Sequence, residues 1–278
     1  MIIYVAETGL SMEAGEEMAA QGLLPARLAS YADAQAGGRT LARVIDWASH
    51  DPTHRSLFLD SGAFGAYSRK ITIDVSAYCA FVEAHKPLLA AYASLDVIGD
   101  WRASAINHDK ILARGLDPVP TFHQGSPLSE LDRLARSHRY IALGGMLISS
   151  ARGLTATVAR LQPILDACFA IIVRHWPVKV HLFGQTQPWV LERYPIYSCD
   201  SSSAGRGAGM GVVQSVRRDG SFVWVNWREE VARTLDGSIA DTCCTTARRG
   251  RFRHNLRQLR RLNDHVDALW AQRGVTWS

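Results

Sequence analysis

The sequence predicts an α/β protein built as a single (β/α)₈ barrel domain over residues 1–278, with a small hairpin insertion and a C-terminal helix. Two observations carry this. Short apolar segments rich in β-branched and aromatic residues alternate with amphipathic stretches along the 278-residue chain, the pattern of βαβ units on a parallel sheet. About seven or eight such units fit a closed barrel better than an open sheet, a doubly wound sheet being the alternative. No linker-like composition shift and no internal repeat divides the chain.

The first strand is read at 2–6, where Ile2-Ile3-Tyr4-Val5-Ala6 meets Glu7. Further strands are predicted at 57–59, 92–98, 119–122, 140–143, 178–183 and 196–198. Helical patterns fall between them at 75–85, 104–114, 128–136 and 155–167, with Ser104 and the Ser126-Pro127 pair as start signals. A Ser/Gly-rich stretch at 201–211 follows, its first part, Ser201-Ser202-Ser203-Ala204-Gly205, reading as a small mobile segment. A hairpin-like pair at 212–216 and 222–227 turns around Asp219-Gly220. The last segment, 254–272, spaces Leu256, Leu259, Leu262, Val266, Leu269 and Trp270 at the period of an amphipathic helix.

Composition narrows the function classes. At 47 % hydrophobic and 21 % charged the chain is globular. Its longest apolar run, 167–173, is far below the ~20 residues of a membrane span, and the N-terminus has no basic region of a signal peptide. A soluble, cytoplasmic protein is expected. The five cysteines, Cys79, Cys168, Cys199, Cys243 and Cys244, have no CxxC spacing and an odd count. Reduced thiols are therefore expected, without disulfide framework or structural zinc, and with Cys79 and Cys168 as buried small apolar groups. No G-x-G-x-x-G opens a helix and no G-K-[ST] occurs, which argues against dinucleotide and P-loop chemistry. The net charge is +5. From Arg206 onward arginines cluster, through Arg217, Arg218, Arg228 and Arg233 to Arg248, Arg249, Arg251, Arg253, Arg257, Arg260 and Arg261. Such a run is either a polyanion footprint or a solvated helix face with a basic loop.

Chemistry in α/β folds collects at the carboxyl ends of parallel strands. Those ends read Asp60-Ser61-Gly62-Ala63-Phe64, Leu95-Asp96 running on to Asp100, His123-Gln124-Gly125, Gly144-Gly145-Met146, Phe183-Gly184-Gln185 and Cys199-Asp200-Ser201. Each has a plain structural alternative. An Asp after a strand also caps the next helix, a reading open for Asp60 and Asp200 and favoured for Asp100. Gly-Gly is also a tight turn. His123, one residue before Gln124, is expected on the opposite face of its strand, in core or surface packing. No set of ligands has metal spacing. Two carboxylates suit retaining glycosyl transfer, one as nucleophile and one as acid and base. A third beside a Gln and a free backbone N–H suits a guanine-like edge.

On these residues the chain resembles the queuine/archaeosine tRNA-guanine transglycosylase superfamily, over residues 60–206. Asp60-Ser61-Gly62-Ala63-Phe64 is similar to the family's D-S-G-G-F, Leu95-Asp96 to its F-D, Gln124-Gly125 to its V-Q-G-G, Leu143-Gly144-Gly145-Met146 to its G-G-L, and Tyr197-Ser198-Cys199-Asp200 to its F-D-C. The resemblance implies Asp200 as covalent nucleophile and Asp60 as general acid/base. It implies Ser61, Asp96, Gln124, Gly144, Gly145 and Met146 around the base, and Arg206 on nucleic acid. The departures are as informative. The family's C-x-C-x-x-C…H zinc site is not reproduced by Cys243, Cys244 and His254, and its P-T-R is replaced by Ser202-Ser203-Ala204-Gly205-Arg206. They resemble the DNA-modifying branch found in phages and bacterial DNA-modification clusters.

The expectation is therefore a base-exchange glycosyltransferase that replaces guanine in DNA by a 7-deazaguanine such as 7-cyano-7-deazaguanine, with no cofactor and no metal. Its alternatives are the same reaction on tRNA, or a catalytically silent nucleic-acid-binding barrel.

Overall fold

The computed structural model describes residues 1–6, 26–35, 39–49, 57–146, 154–216, 221–226 and 247–277. The chain runs β1 (Ile2–Ala6), β2 (Arg27–Ser30), α1 (Tyr31–Gln35), α2 (Arg39–Ser49), β3 (Leu57–Asp60), α3 (Ala63–Arg69), α4 (Val75–His85) and β4 (Leu89–Tyr92). It continues through α5 (Trp101–Leu112), β5 (Thr121–His123), α6 (Leu128–Ser137), β6 (Tyr140–Gly144), α7 (Leu154–Ile172), β7 (Lys179–Leu182), α8 (Pro188–Arg193) and β8 (Ser198–Ser201). Last come α9 (Ser203–Met210), β9 (Val212–Val216), β10 (Phe222–Asn226) and α10 (Ala247–Gln272).

Eight strands form one sheet in the order β4-β3-β2-β1-β8-β7-β6-β5, with parallel pairing of β3 to β4, β5 to β6, β6 to β7 and β7 to β8. Beyond its two edges the sheet meets itself. Ala93, just past β4, bridges in parallel to Val119, just before β5. The Ser94 N–H donates to the Val119 carbonyl and the Val119 N–H to that of Tyr92, both at 2.8 Å. This is the closed (β/α)₈ class that the alternation predicts.

The sequence expects 2–6 and 75–85 where strand and helix lie, and misses β2 altogether. Arg27-Leu28-Ala29-Ser30 is too short to show a period. The 92–98 segment is a correction: the strand lies at β4, earlier in the chain, and only Tyr92 is shared. Ser104 is another. The cap of α5 is Asp100, whose carboxylate accepts from the N–H groups of Arg102 and Ala103 at 3.0 Å, so the helix starts at Trp101. Pro127 stands at the cap of α6 without a side-chain bond. The 201–205 segment expected to be mobile is ordered instead as the end of β8, the cap Ser202 and the first turn of α9.

The described residues group into two compact units, one of Leu28–Gln185 with Ile196–Cys199, the other of Met1–Arg27, Thr186–Pro195 and Asp200–Ser278. In the first, the strands are apolar on both faces, as a sheet covered by helices requires: Leu57, Phe58, Leu59, Ile141, Ala142, Leu143, Val180 and Leu182 are all buried. One polar chain crosses this core. Ser198 Oγ lies 2.6 Å from Tyr140 Oη and 2.8 Å from His181 Nδ1, and the His181 ring stacks on Phe58.

In the second unit α10 buries Phe252, Leu256, Leu259, Leu262, Val266 and Trp270, and begins earlier than the apolar period foretells. Three of its buried polar residues bond the backbone of α9 and β9. His254 Nε2 bonds the Gln214 carbonyl at 2.7 Å, and Arg251 Nε donates to the Ala208 carbonyl at 2.8 Å. Asn255 accepts from the Gln214 N–H and donates to the carbonyls of Ala204 and Val212. The antiparallel β9–β10 hairpin is where the sequence places it, its turn lying outside the described residues. Cys243 and Cys244 also lie outside them; Cys79, Cys168 and Cys199 are buried. No described helix is long and apolar enough to cross a membrane.

Candidate functional site

Asp60 is the last residue of β3, half-buried at the carboxyl end of the strand. It does not cap α3, because Gly62 holds that position. Gly62 has to be glycine. Its φ is +79°, and a Cβ there would stand 2.4 Å from Ala32 Cβ and 2.5 Å from Ser30 Oγ. The junction of β2 and α1, unseen in the sequence, is thus what the D-S-G turn packs against. Between them Ser61 is wholly buried, and its hydroxyl has no hydrogen bond among the described residues. One turn further, α3 presents Phe64 to solvent at 70 % exposure, with Tyr67 beside it at 65 %. Such faces can stack on nucleobases.

Asp96 sits four residues past β4 on a loop pinned from both sides. Asn107 Nδ2 donates to the Leu95 carbonyl at 3.1 Å, and the Val97 N–H donates to Ser104 Oγ at 2.8 Å. Ser94 Oγ lies 3.3 Å from His108 Nδ1. The buried stripe of α5, Ser104, His108 and Ile111, therefore exists to hold this loop as much as to fill core. Asp60 and Asp96 both act on the buried phenol of Tyr78. Desolvation first, and then these two carboxylates, raise its pKa well above the ordinary value, and its hydroxyl donates to the Ala93 carbonyl at 2.6 Å.

The expectation for His123 is corrected here. It is neither core nor plain surface: its Nε2 lies 3.1 Å from Asp96 Oδ2, with the ring N–H off the line of an ideal hydrogen bond. Gly144 leaves room for the ring, since a Cβ there would be 2.9 Å from its Cε1 and Nδ1. Gln124 is exposed, and its backbone N–H donates to the Gly144 carbonyl at 3.0 Å. Gly125 and Gly145 turn the two loops at φ of +95° and +75°. Met146 is buried, and its carbonyl accepts from Gln185 Nε2 at 3.4 Å, which ties the loops after β6 and β7. The structure thus brings Asp96 together with His123, and Gln124 with Gly144. Sequence reasoning missed His123, because period-two alternation fails where a strand ends.

Asp200 and Arg206 belong to the second unit. Asp200 lies in β8, 7 % exposed. The capping alternative does not hold for it: Ser202 occupies the cap of α9, and the Ser203 N–H donates to Ser201 Oγ at 2.9 Å. Arg206 is exposed on α9, and Arg248, Arg249, Arg257, Arg260 and Arg261 are exposed on α10. Arg251 is not part of that surface, being buried under Ala208.

On the flank of the first unit, Ser94, Asp96, Trp101, His108, Thr121 and Arg133 border a cleft of about 340 Å³ including its open mouth. Burial, and then neighbouring His138, push the His108 imidazole down to about 4, so it is neutral at pH 7. No group of three or more metal-ligating side chains occurs among the described residues.

No protein-family model and no curated protein sequence matches the chain. Among solved structures it is similar to a mutant tryptophan synthase alpha-subunit from the hyperthermophile Pyrococcus furiosus, at 12 % identity and a TM-score of 0.48, over 76 % of this chain and 90 % of that one. It is also similar to the carboxyl transferase domain from Rhizobium etli pyruvate carboxylase, at 11 % identity and a TM-score of 0.42, over 97 % of this chain and 47 % of the other.

Proposed function

We propose that this protein is a base-exchange glycosyltransferase that removes guanine from DNA and installs a 7-deazaguanine, such as 7-cyano-7-deazaguanine, without a cofactor. The observation that carries the reading is a succession. Asp60-Ser61, Asp96, Gln124-Gly125 and Gly144-Gly145-Met146 lie at or just beyond the carboxyl ends of β3, β4, β5 and β6, in the order in which the transglycosylase motifs run. Neither Asp60 nor Asp200 is spent on capping a helix.

In this reading the Asp200 carboxylate attacks the anomeric carbon and the bond to N9 of guanine breaks. Asp60 gives its proton to the departing base, and a sugar–aspartate ester remains. The incoming 7-deazaguanine loses its N9 proton to Asp60 and attacks the same carbon, expelling the Asp200 carboxylate. Two inversions leave the configuration retained. Asp96 accepts from N1–H and the exocyclic amine, while Gln124 and a backbone N–H of the Gly144-Gly145-Met146 segment donate to O6. A duplex target has to be flipped out, at a cost of a few kcal/mol, which the exposed arginines of α9 and α10 offset at the phosphates.

The deciding experiment is nucleoside analysis of single-stranded DNA, duplex DNA and tRNA after incubation with 7-cyano-7-deazaguanine. Incorporation into DNA is expected, with no denaturation-resistant adduct in Asp200→Asn and no exchange in Asp60→Asn. Exchange into tRNA alone assigns the polymer to tRNA, and exchange into neither leaves a silent binding barrel.

A further inference from the structure

We infer that His123 is the positioning residue of the base-reading carboxylate, setting affinity for the free base through Asp96 rather than touching the base; this rests on the base-exchange reading. Three features converge on it. The first is proximity: Nε2 stands 3.1 Å from Asp96 Oδ2, with His123 at 17 % and Asp96 at 8 % side-chain exposure. The second is that Nε2 is buried and makes no hydrogen bond among the described residues, so a small turn that aligns it with the adjacent carboxylate satisfies a buried polar atom. The third is room made for the ring. A Cβ at 144 would stand 2.9 Å from the ring's Cε1 and Nδ1, so the absence of a side chain at Gly144 is what admits it.

A carboxylate on a loop has two rotatable bonds and samples several orientations, and each must be frozen when a base docks. An imidazole N–H held against one oxygen removes that freedom in advance, while the carboxylate keeps lone pairs for two donors of the base. The backbone of the Asp96 loop is already fixed through Asn107 and Ser104, and His123 completes the fixation at the side chain. It enters from the strand that also delivers Gln124, so one short segment sets two of the contacts to the base.

The test uses the full-length protein, labelled free guanine and a guanine-containing oligodeoxynucleotide. His123→Leu keeps the ring volume but has no donor, whereas His123→Gln places an amide N–H near the position of Nε2. His123→Leu is expected to raise KM for guanine roughly tenfold with kcat changed by less than about threefold, and His123→Gln to restore KM to within about threefold. The unfolding midpoint of both variants should match wild type, which separates positioning from folding. An unchanged KM in His123→Leu overturns the inference, as does a His123→Gln variant as impaired as His123→Leu. A wild-type protein that exchanges no guanine into any polymer overturns the base-exchange reading itself, and the inference with it.

Discussion

The ring of His123 occupies the space that a side chain at Gly144 would need, its Cε1 and Nδ1 both 2.9 Å from where a Cβ would stand. Gly144 also offers its carbonyl to the Gln124 N–H at 3.0 Å, so the end of β6 packs against both residues that close β5. Gly144→Ala is expected to cost about 1–3 kcal/mol of stability, the usual price of overpacking, because the added Cβ would meet the His123 ring and the Thr121 methyl at once. The same variant should weaken free-base binding by swinging His123 off Asp96. Urea unfolding and guanine titration measure the two effects. A wild-type midpoint in Gly144→Ala would show that the ring yields freely.

Acid sensitivity follows from His108. Burial and His138 push its pKa down to about 4 in the folded chain, whereas in the unfolded chain it is near the ordinary 6.5. The unfolded state therefore binds the proton first. Stability from this group is complete above about pH 6.5 and falls as the pH drops toward 4. Between pH 7 and pH 5 the loss is on the order of 1–2 kcal/mol. His108→Gln should flatten the dependence of unfolding free energy on pH over that interval by this amount. An identical slope in the variant would place the acid sensitivity elsewhere.

Asn255 and His254 tie α10 to the backbone of α9 and β9. Asn255 serves three backbone groups of α9 and β9, and His254 Nε2 is engaged with the Gln214 carbonyl. Asn255→Ala strands buried partners and should lower stability by about 2–3 kcal/mol in denaturant titration. Strong chelators should leave the melting temperature unmoved, since Cys243, Cys244 and His254 lack the ligand spacing of a structural zinc site. Stoichiometric zinc in the purified protein would contradict this.

Asp100 and Asp60 look alike in the sequence, each an acid after a strand, and they should separate cleanly in measurement. Asp100 caps α5 through two N–H groups, so Asp100→Ala should lower stability by about 1 kcal/mol and spare base exchange. Asp60→Asn should stop exchange with little change in stability, because α3 is capped by backbone at Gly62. Equal loss of exchange in both variants would mean that Asp60 has no special part in the chemistry.

The barrel was legible because its strands are buried on both faces and write themselves as apolar runs; Tyr140–Gly144 and Lys179–Leu182 lie within a residue of where they are expected. What was not legible has physical causes. Arg27–Ser30 is a short strand with a buried arginine, and no period survives over such a length. In the 92–98 segment Ser94, Leu95 and Val97 form a loop whose bonds go to α5 side chains, and a loop pinned by side chains is as apolar as a strand. The glycines of α9 disguised a helix. At the candidate site the motif residues were readable from their order along the chain, but the His123–Asp96 contact joins two strand ends that nothing in the linear sequence aligns.

The arginine-rich C-terminal region divides into two kinds of residue, and salt dependence should distinguish them. Arg257 and Arg260 are exposed on successive turns of α10, whereas Arg251 is buried with its Nε on the Ala208 carbonyl at 2.8 Å. A cation that neutralises a phosphate releases a condensed counterion, and each such contact contributes roughly 0.7–0.9 to the slope of log affinity against log salt. Arg257→Ala with Arg260→Ala should therefore make that slope shallower by about 1.4–1.8 and weaken binding to all DNA sequences alike. Stability should be unaffected, since neither side chain fills core. Arg251→Ala is expected to do the opposite, leaving the slope in place while lowering the urea midpoint, because it removes a buried bond that holds α9 to α10. Titration of fluorescent single-stranded DNA from low to moderate salt reads both quantities on one protein preparation. A slope untouched by the double substitution would leave these arginines as a solvated helix face and shift the phosphate contacts to Arg206 and its neighbours on α9.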